Sequence, residues 1–139
     1  MPYFSDLAPY SFLVAKEKVS PNLLNVGWLS SSHAFHKAAV DPQLLEILLR
    51  LCRKPVRLTR GFHRCDLCSI SQYPMISMTV DGNEIRLGNG EIRVSGANGI
   101  VYATPTLICH YINKHKYCPP EEFLDAVALL FPSSFPPKK

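Results

Sequence analysis

Ile76-Ser77-Met78-Thr79-Val80-Asp81-Gly82-Asn83-Glu84-Ile85-Arg86-Leu87-Gly88-Asn89-Gly90-Glu91-Ile92-Arg93-Val94 is the stretch that decides the fold class. Ile76, Met78 and Val80 alternate with Ser77 and Thr79, and Asp81-Gly82-Asn83 follows as a turn. Ile85 and Leu87 alternate with Glu84 and Arg86, Gly88-Asn89-Gly90 is a second turn, and Ile92 and Val94 alternate with Glu91 and Arg93. A period of two sends successive side chains to opposite faces, so each run reads as a strand with one apolar and one polar face. Asn98-Gly99 is a third turn signal, before Ile100 and Tyr102. Residues 74–103 are therefore expected to form an antiparallel β-meander, with Glu and Arg paired on its solvated face.

Helices are expected on both sides of the meander. Asp41-Pro42 is an N-cap followed by the residue suited to the first helical position. Leu44, Leu45, Leu48, Leu49 and Cys52 then share one face, and Pro55 stops the helix near Arg53. Thr104-Pro105 repeats the cap and proline signal. Leu107, Ile108, Tyr111 and Ile112 give that second helix a buried face, and it should end near Lys114 or His115. Pro119-Pro120-Glu121-Glu122 opens a third helix, with acids at the positive end of its dipole and Phe123, Val127 and Leu130 as its apolar stripe. The expected fold is α+β, a zinc-stabilised single domain. It comprises an irregular aromatic arm (1–40), an α+β core (41–131) and a loose tail (132–139). Tyr3, Phe4, Tyr10, Phe12 and Trp28 of the arm are expected to pack on the core.

Composition sets the outer bounds. A chain of 139 residues suits one domain that needs no staple to fold. Fifteen Lys and Arg against eleven Asp and Glu give a net charge of +4, which permits an acidic partner without demanding one. No apolar run approaches the roughly 20 residues that cross a membrane. The start, Met1-Pro2-Tyr3-Phe4-Ser5-Asp6, has no basic segment followed by an apolar one, so the expected location is the cytoplasm. Five cysteines cannot all pair within one chain, and reduced thiols are the expectation there.

Cys65-Asp66-Leu67-Cys68 is a Cys-x2-Cys element, whose spacing lets one short turn present two thiolates to a single ion. His110 and His115 form a His-x4-His element at the end of the second helix. Five residues on an ideal helix turn through about 500°, leaving the two rings about 140° apart. They converge only if the helix frays or tightens at its last turn. The order of two cysteines, strands, and a helix with two histidines follows the logic of a ββα zinc finger. The 41 residues between Cys68 and His110 (69–109) far exceed the usual spacing, and the meander would fill them. The expected cofactor is one Zn2+ on Cys65, Cys68, His110 and His115. His63, two residues before Cys65, is an alternative ligand or a hydrogen-bonding partner of one. Cys109 and Cys118 flank the helix site and rank below the histidines. The competing readings are small buried thiols with a core histidine, and a redox Cys-x-x-Cys pair. The residues after Cys68, Ser-Ile-Ser-Gln-Tyr-Pro, are poor helix material, which disfavours the redox pair.

Several segments carry a resemblance. They are Tyr3-Phe4-Ser5-Asp6-Leu7, Asn25-Val26-Gly27-Trp28-Leu29, Thr59-Arg60-Gly61-Phe62-His63-x-Cys65-x-x-Cys68, Glu91-Ile92-Arg93-Val94, Tyr102-Ala103-x-Pro105, and the run from His110-Tyr111 through Tyr117 to Pro119-Pro120-Glu121-x-Phe123. Across most of its length the chain resembles a family of small bacterial proteins of uncharacterised function. The resemblance implies equivalents of His63, Cys65, Cys68, His110 and His115, and other residues in place of Cys109 and Cys118. It implies no activity.

The function expected is that of a non-enzymatic protein-interaction module with a structural zinc. Arg57, Arg60 and Arg64, within the basic run from Arg50 to Arg64, are candidates for contacting an acidic partner. The same run offers a second reading, nucleic-acid binding, which Glu84 and Glu91 beside Arg86 and Arg93 would blunt. A third is a zinc hydrolase with an open metal position and Glu121 or Glu122 as base. The chain lacks the Gly-x-Ser-x-Gly, phosphate-loop, His-Glu-x-x-His and deaminase signatures. No membrane partner is expected, and the sequence leaves the oligomeric state open.

Overall fold

Asp41 does what its position predicts: its Oδ1 accepts the Gln43 backbone N–H at 2.9 Å, and Pro42 takes the first helical position. In the computed structural model, residues 3–11, 20–59, 61–68 and 76–130 are described. Among them the elements run β1 (Leu23–Asn25), α1 (Pro42–Leu51), β2 (Ile76–Val80), β3 (Asn83–Leu87), β4 (Glu91–Ser95), β5 (Val101–Pro105), α2 (Ile108–His115) and α3 (Glu121–Ala128). The chain is a single α+β domain.

The continuous meander does not form. β2 and β3 make a two-stranded antiparallel hairpin through Asp81-Gly82, both with positive φ as a tight hairpin turn requires. β4 pairs antiparallel with β5 in a separate three-stranded sheet of order β1-β5-β4. The break lies between β3 and β4. The free side of β4 is taken by the chain leaving α1: Val56 and Glu91 exchange both backbone hydrogen bonds, at 2.7 and 2.8 Å. Thr59 N–H then reaches Asn89 O at 2.7 Å, and His63 N–H reaches Gly88 O at 2.8 Å. Gly88 has φ +116, and a Cβ there would sit 2.7 Å from the carbonyl oxygen of His63. Only glycine lets the two backbones meet so closely.

The other departures have similar causes. The arm is not wholly irregular, because β1 pairs parallel with β5 from Leu23↔Val101 to Asn25↔Ala103. Tyr10 and Trp28 are buried as expected, and Trp28 Nε1 donates to Ala103 O at 3.0 Å. Phe12 and the segment 132–139 lie outside the described residues. Thr104 and Pro105 end β5 rather than open a helix, and α2 starts three residues later without a side-chain cap. Its expected apolar face, Leu107, Ile108, Tyr111 and Ile112, is buried. Phe123 and Val127 are buried on α3, whereas Leu130 falls beyond the helix and is 40% exposed. Glu91 does not lie on a solvated face, since it is 2% exposed and accepts from Tyr10 Oη at 2.8 Å and Arg93 Nη1 at 2.6 Å. α1 packs on both α2 and α3, so one apolar core joins the helices to the sheets.

Candidate metal centre

The turn that carries the two cysteines is held from both sides. His63 is pinned to Gly88, and Asp66 Oδ2 accepts the Ser31 backbone N–H at 2.8 Å, a bond that holds its carboxyl below the usual range. Cys68 N–H closes the turn onto Cys65 O at 3.4 Å. Across from it, α2 carries His110 on its buried face and His115 as its last residue. Cys65 Sγ lies 3.3 Å from His115 Nε2, and Cys68 Sγ lies 3.4 Å from His110 Nε2 and 3.5 Å from His115 Nε2. All four donor atoms are within 4.8 Å of one another, a grouping that can hold one metal ion.

The two rings converge although α2 stays α-helical through His115, so fraying or tightening of the helix is not required. The closing bond of α2 lies beyond that residue. Lys116, left-handed at φ 60, sends its N–H to Tyr111 O five residues back, and Tyr117 N–H shares that acceptor at 3.1 Å. This five-residue bond closes the helix immediately after His115. The two imidazoles end with centroids 5.1 Å apart and planes at 77°.

The protein's own electrostatics oppose charge on every donor that shifts. Burial pushes the Cys65 thiol up, and burial followed by the neighbouring His115 and Lys114 pulls His110 down to about 4. Burial, then Lys114 and Lys37, also pulls His115 down. A cation inverts this pattern, because a coordinated thiol is deprotonated outright and neutral imidazole is the ligating form. Tyr111 Oη, beside the site, is buried with no hydrogen-bond partner, and burial followed by the charges of Cys65, Asp66 and Cys68 raises its pKa.

A pH dependence of the metal-free protein follows. The folded pKa of His110, about 4, lies below its ordinary 6.5, so the unfolded chain binds the proton more readily. This contribution is fully present above pH 6.5 and falls away as pH drops toward 4. Between pH 7 and pH 5 the chelated protein should lose about 2 kcal/mol, read as a shift in urea midpoint. A midpoint constant across that range would contradict it.

The remaining candidates lie elsewhere. His63 is not in the donor group. Its ring borders a cavity of about 10 Å3 lined also by Trp28, Gly88 and Glu91, and its buried Nε2 has no hydrogen-bond partner. Cys109 is fully buried, with its Sγ 3.7 Å from that of Cys52, a contact that sequence spacing gave no sign of. Cys118 is half-buried, with its Sγ 3.6 Å from Pro119 O. Arg57 lies over the Tyr10 ring at 5.9 Å, Arg64 borders a depression with Tyr3 and Asp66, and Arg60 lies outside the described residues. Arg50 and Arg53 pair with Asp81 at 3.4 and 3.2 Å, so these two cations of the run face an acid of the β2–β3 turn. Glu122 accepts from Tyr102 Oη at 2.6 Å, and neither Glu121 nor Glu122 joins the donor group.

Residues 2–128 match the family described as a domain of unknown function, DUF7919. The chain belongs to this family. No curated protein and no solved structure gives a match. Among the described residues, no helix is long and apolar enough to cross a membrane.

Proposed function

We propose that this DUF7919 protein is a small zinc-organised interaction module, in which a structural Zn2+ clamps the Cys65–Cys68 turn to the end of α2. The observation that carries the reading is the donor set. Zinc bonds of about 2.3 Å to sulfur and 2.0–2.1 Å to nitrogen imply tetrahedral S···N edges of about 3.6 Å. The three short contacts in the site, 3.3, 3.4 and 3.5 Å, sit close to that value. Two thiolates and two neutral imidazoles fill the tetrahedron and neutralise the ion, leaving no position for an activated water. The engagement of Glu122 with Tyr102 also favours a structural ion over a hydrolytic one. The metal's contribution is to folding: it joins two segments far apart in sequence, and that binding energy becomes stability.

Cobalt substitution tests the closed site. Co2+ in place of zinc should give the intense visible bands of four-coordinate S2N2 ligation, unchanged by added azide or cyanide. Weak octahedral bands, or bands that shift with azide, would point to an open metal position and to hydrolysis. Thiol reactivity offers a second check. In the zinc-loaded native protein only Cys118 should react quickly with a disulfide reagent, since Cys65 and Cys68 hold metal and Cys52 and Cys109 are buried. A strong chelator should release Cys65 and Cys68, and only denaturant should release Cys52 and Cys109. Rapid reaction of Cys65 and Cys68 before chelation would contradict the assignment.

A further inference from the structure

The face beside the metal centre has a charge and shape that the structural-zinc reading leaves unused. Two adjoining depressions, of about 450 and 590 Å3, share Lys37 and Lys116 on their walls. The first is also lined by Lys114 and His115. The second is floored by Val40, Leu45 and Ile112. Backbone hydrogen bonds bring the segments that carry Lys37 and Lys116 side by side. Ala38 N–H bonds Lys116 O at 3.1 Å and Cys118 N–H bonds His36 O at 2.9 Å, so the Lys37 segment runs along the chain leaving α2. All three lysines are exposed, none lies within ion-pair distance of an acid among the described residues, and no acidic side chain lines either depression. Asp66, on the nearby cysteine turn, borders a different depression with Tyr3 and Arg64.

We propose that this groove docks an acidic amphipathic segment of a partner protein, with Asp or Glu side chains meeting Lys37, Lys114 and Lys116 and aliphatic side chains seated on Val40, Leu45 and Ile112. The inference rests on the interaction-module reading and names that module's partner surface. Charge complementarity selects the acidic component. The apolar floor selects a peptide over a nucleic acid, whose sugar-phosphate backbone offers no aliphatic side chain to seat there. Single-stranded nucleic acid also wants exposed rings to stack on. The aromatic side chain in this groove, Phe35, is half-buried, packs edge-on against Tyr117 and carries Lys37 over its face at 5.2 Å. A zinc ion with two thiolates is electrically neutral, so the groove's field comes from the lysines, while the metal fixes the helix end that carries two of them.

The test uses the full zinc-loaded chain and short fluorescein-labelled peptides that interleave Glu and Asp with Leu and Ile, read by anisotropy. The comparison probes are the same peptides with Ser for the aliphatic residues, the same peptides with Lys for the acids, and a single-stranded oligonucleotide of equal charge. The acidic amphipathic peptides should bind best, and binding should weaken about tenfold or more in the double variant Lys37→Glu, Lys114→Glu. Lys37→Arg with Lys114→Arg should retain it. No binding by any acidic amphipathic peptide, equal binding by the serine versions, indifference to charge reversal, or tighter binding of the oligonucleotide would each overturn the proposal. Zinc content measured on every sample separates the two ideas. A zinc-replete protein that ignores the peptides sinks the groove alone, whereas a wild type that holds no zinc sinks the clamp.

Discussion

Cys65→Ser should abolish stoichiometric zinc binding and lower the thermal midpoint of the zinc-loaded protein by about 10–15 °C. Free zinc at about a thousand times the dissociation constant stabilises the folded state by about 4 kcal/mol, and a chain of this size shifts by about 3–4 °C per kcal/mol. The substitution removes a buried sulfur that lies 3.3 Å from His115 Nε2, and a serine oxygen is a poor zinc ligand in its place. The loss should fall on the segments that the ion joins. Hydrogen exchange should quicken first in 61–68 and in the last turn of α2, with β2 and β3 little changed. Cys118→Ser is the control, since that half-buried sulfur is outside the donor group and its loss should leave zinc content intact. A Cys65→Ser protein that melts with the zinc-loaded wild type would mean that no metal supports the fold.

Glu91→Ala should be the second most damaging change, at about 3 kcal/mol, or a midpoint about 10 °C lower. Its carboxylate is buried beneath the arm, where it accepts from Tyr10 Oη and from Arg93 Nη1, and the Arg93 guanidinium also covers the Tyr10 ring at 4.9 Å. Removing the acceptor strands a phenol hydroxyl in a core position that is 1% exposed. The Arg93 side chain keeps 25% of its exposure, so water recovers part of that partner's loss and the cost stays below that of a fully buried ion pair. Glu84→Ala makes the contrast. That exposed residue on β3 should change stability by less than about 0.5 kcal/mol. Equal effects from the two substitutions, measured by urea denaturation, would return Glu91 to a solvated face.

That contrast marks where sequence reading stops. Asp41-Pro42, the Asp81-Gly82 turn and the strand alternation are local signals, and each forms its element where the sequence places it. Pairing between strands is not local. Nothing in Leu23–Asn25 announces a parallel partner, and nothing in Val56 announces that it will occupy the edge of β4 that β3 was expected to take. Glu91 alternates correctly with Ile92 and so reads as polar-face. The arm then covers that face, and alternation along one strand carries no information about what lies over it. Thr104-Pro105 misleads for a related reason, since a cap signal is a preference that a strand pairing over 101–105 outweighs.

The candidate centre was more legible than the fold around it. Cys65 and Cys68 are paired by spacing alone, and His110 and His115 share a helix, so the four residues could be named together before the strands between them were placed. That the histidines converge was hidden, because an ideal helix separates them, and no residue type advertises the left-handed Lys116 that closes α2. His63 illustrates the opposite limit. Extended-chain geometry points it the same way as Cys65, but its backbone is anchored to Gly88 and its ring borders the cavity beside Trp28 and Glu91.

The most direct measurement of the central claim is the metal content of the full chain, purified without chelator, by mass spectrometry of the elements. The clamp predicts about one zinc per wild-type chain and none in Cys65→Ser, with the wild type losing its thermal advantage when the ion is stripped. A metal-free wild type that folds and melts as the zinc-supplemented protein does would contradict it.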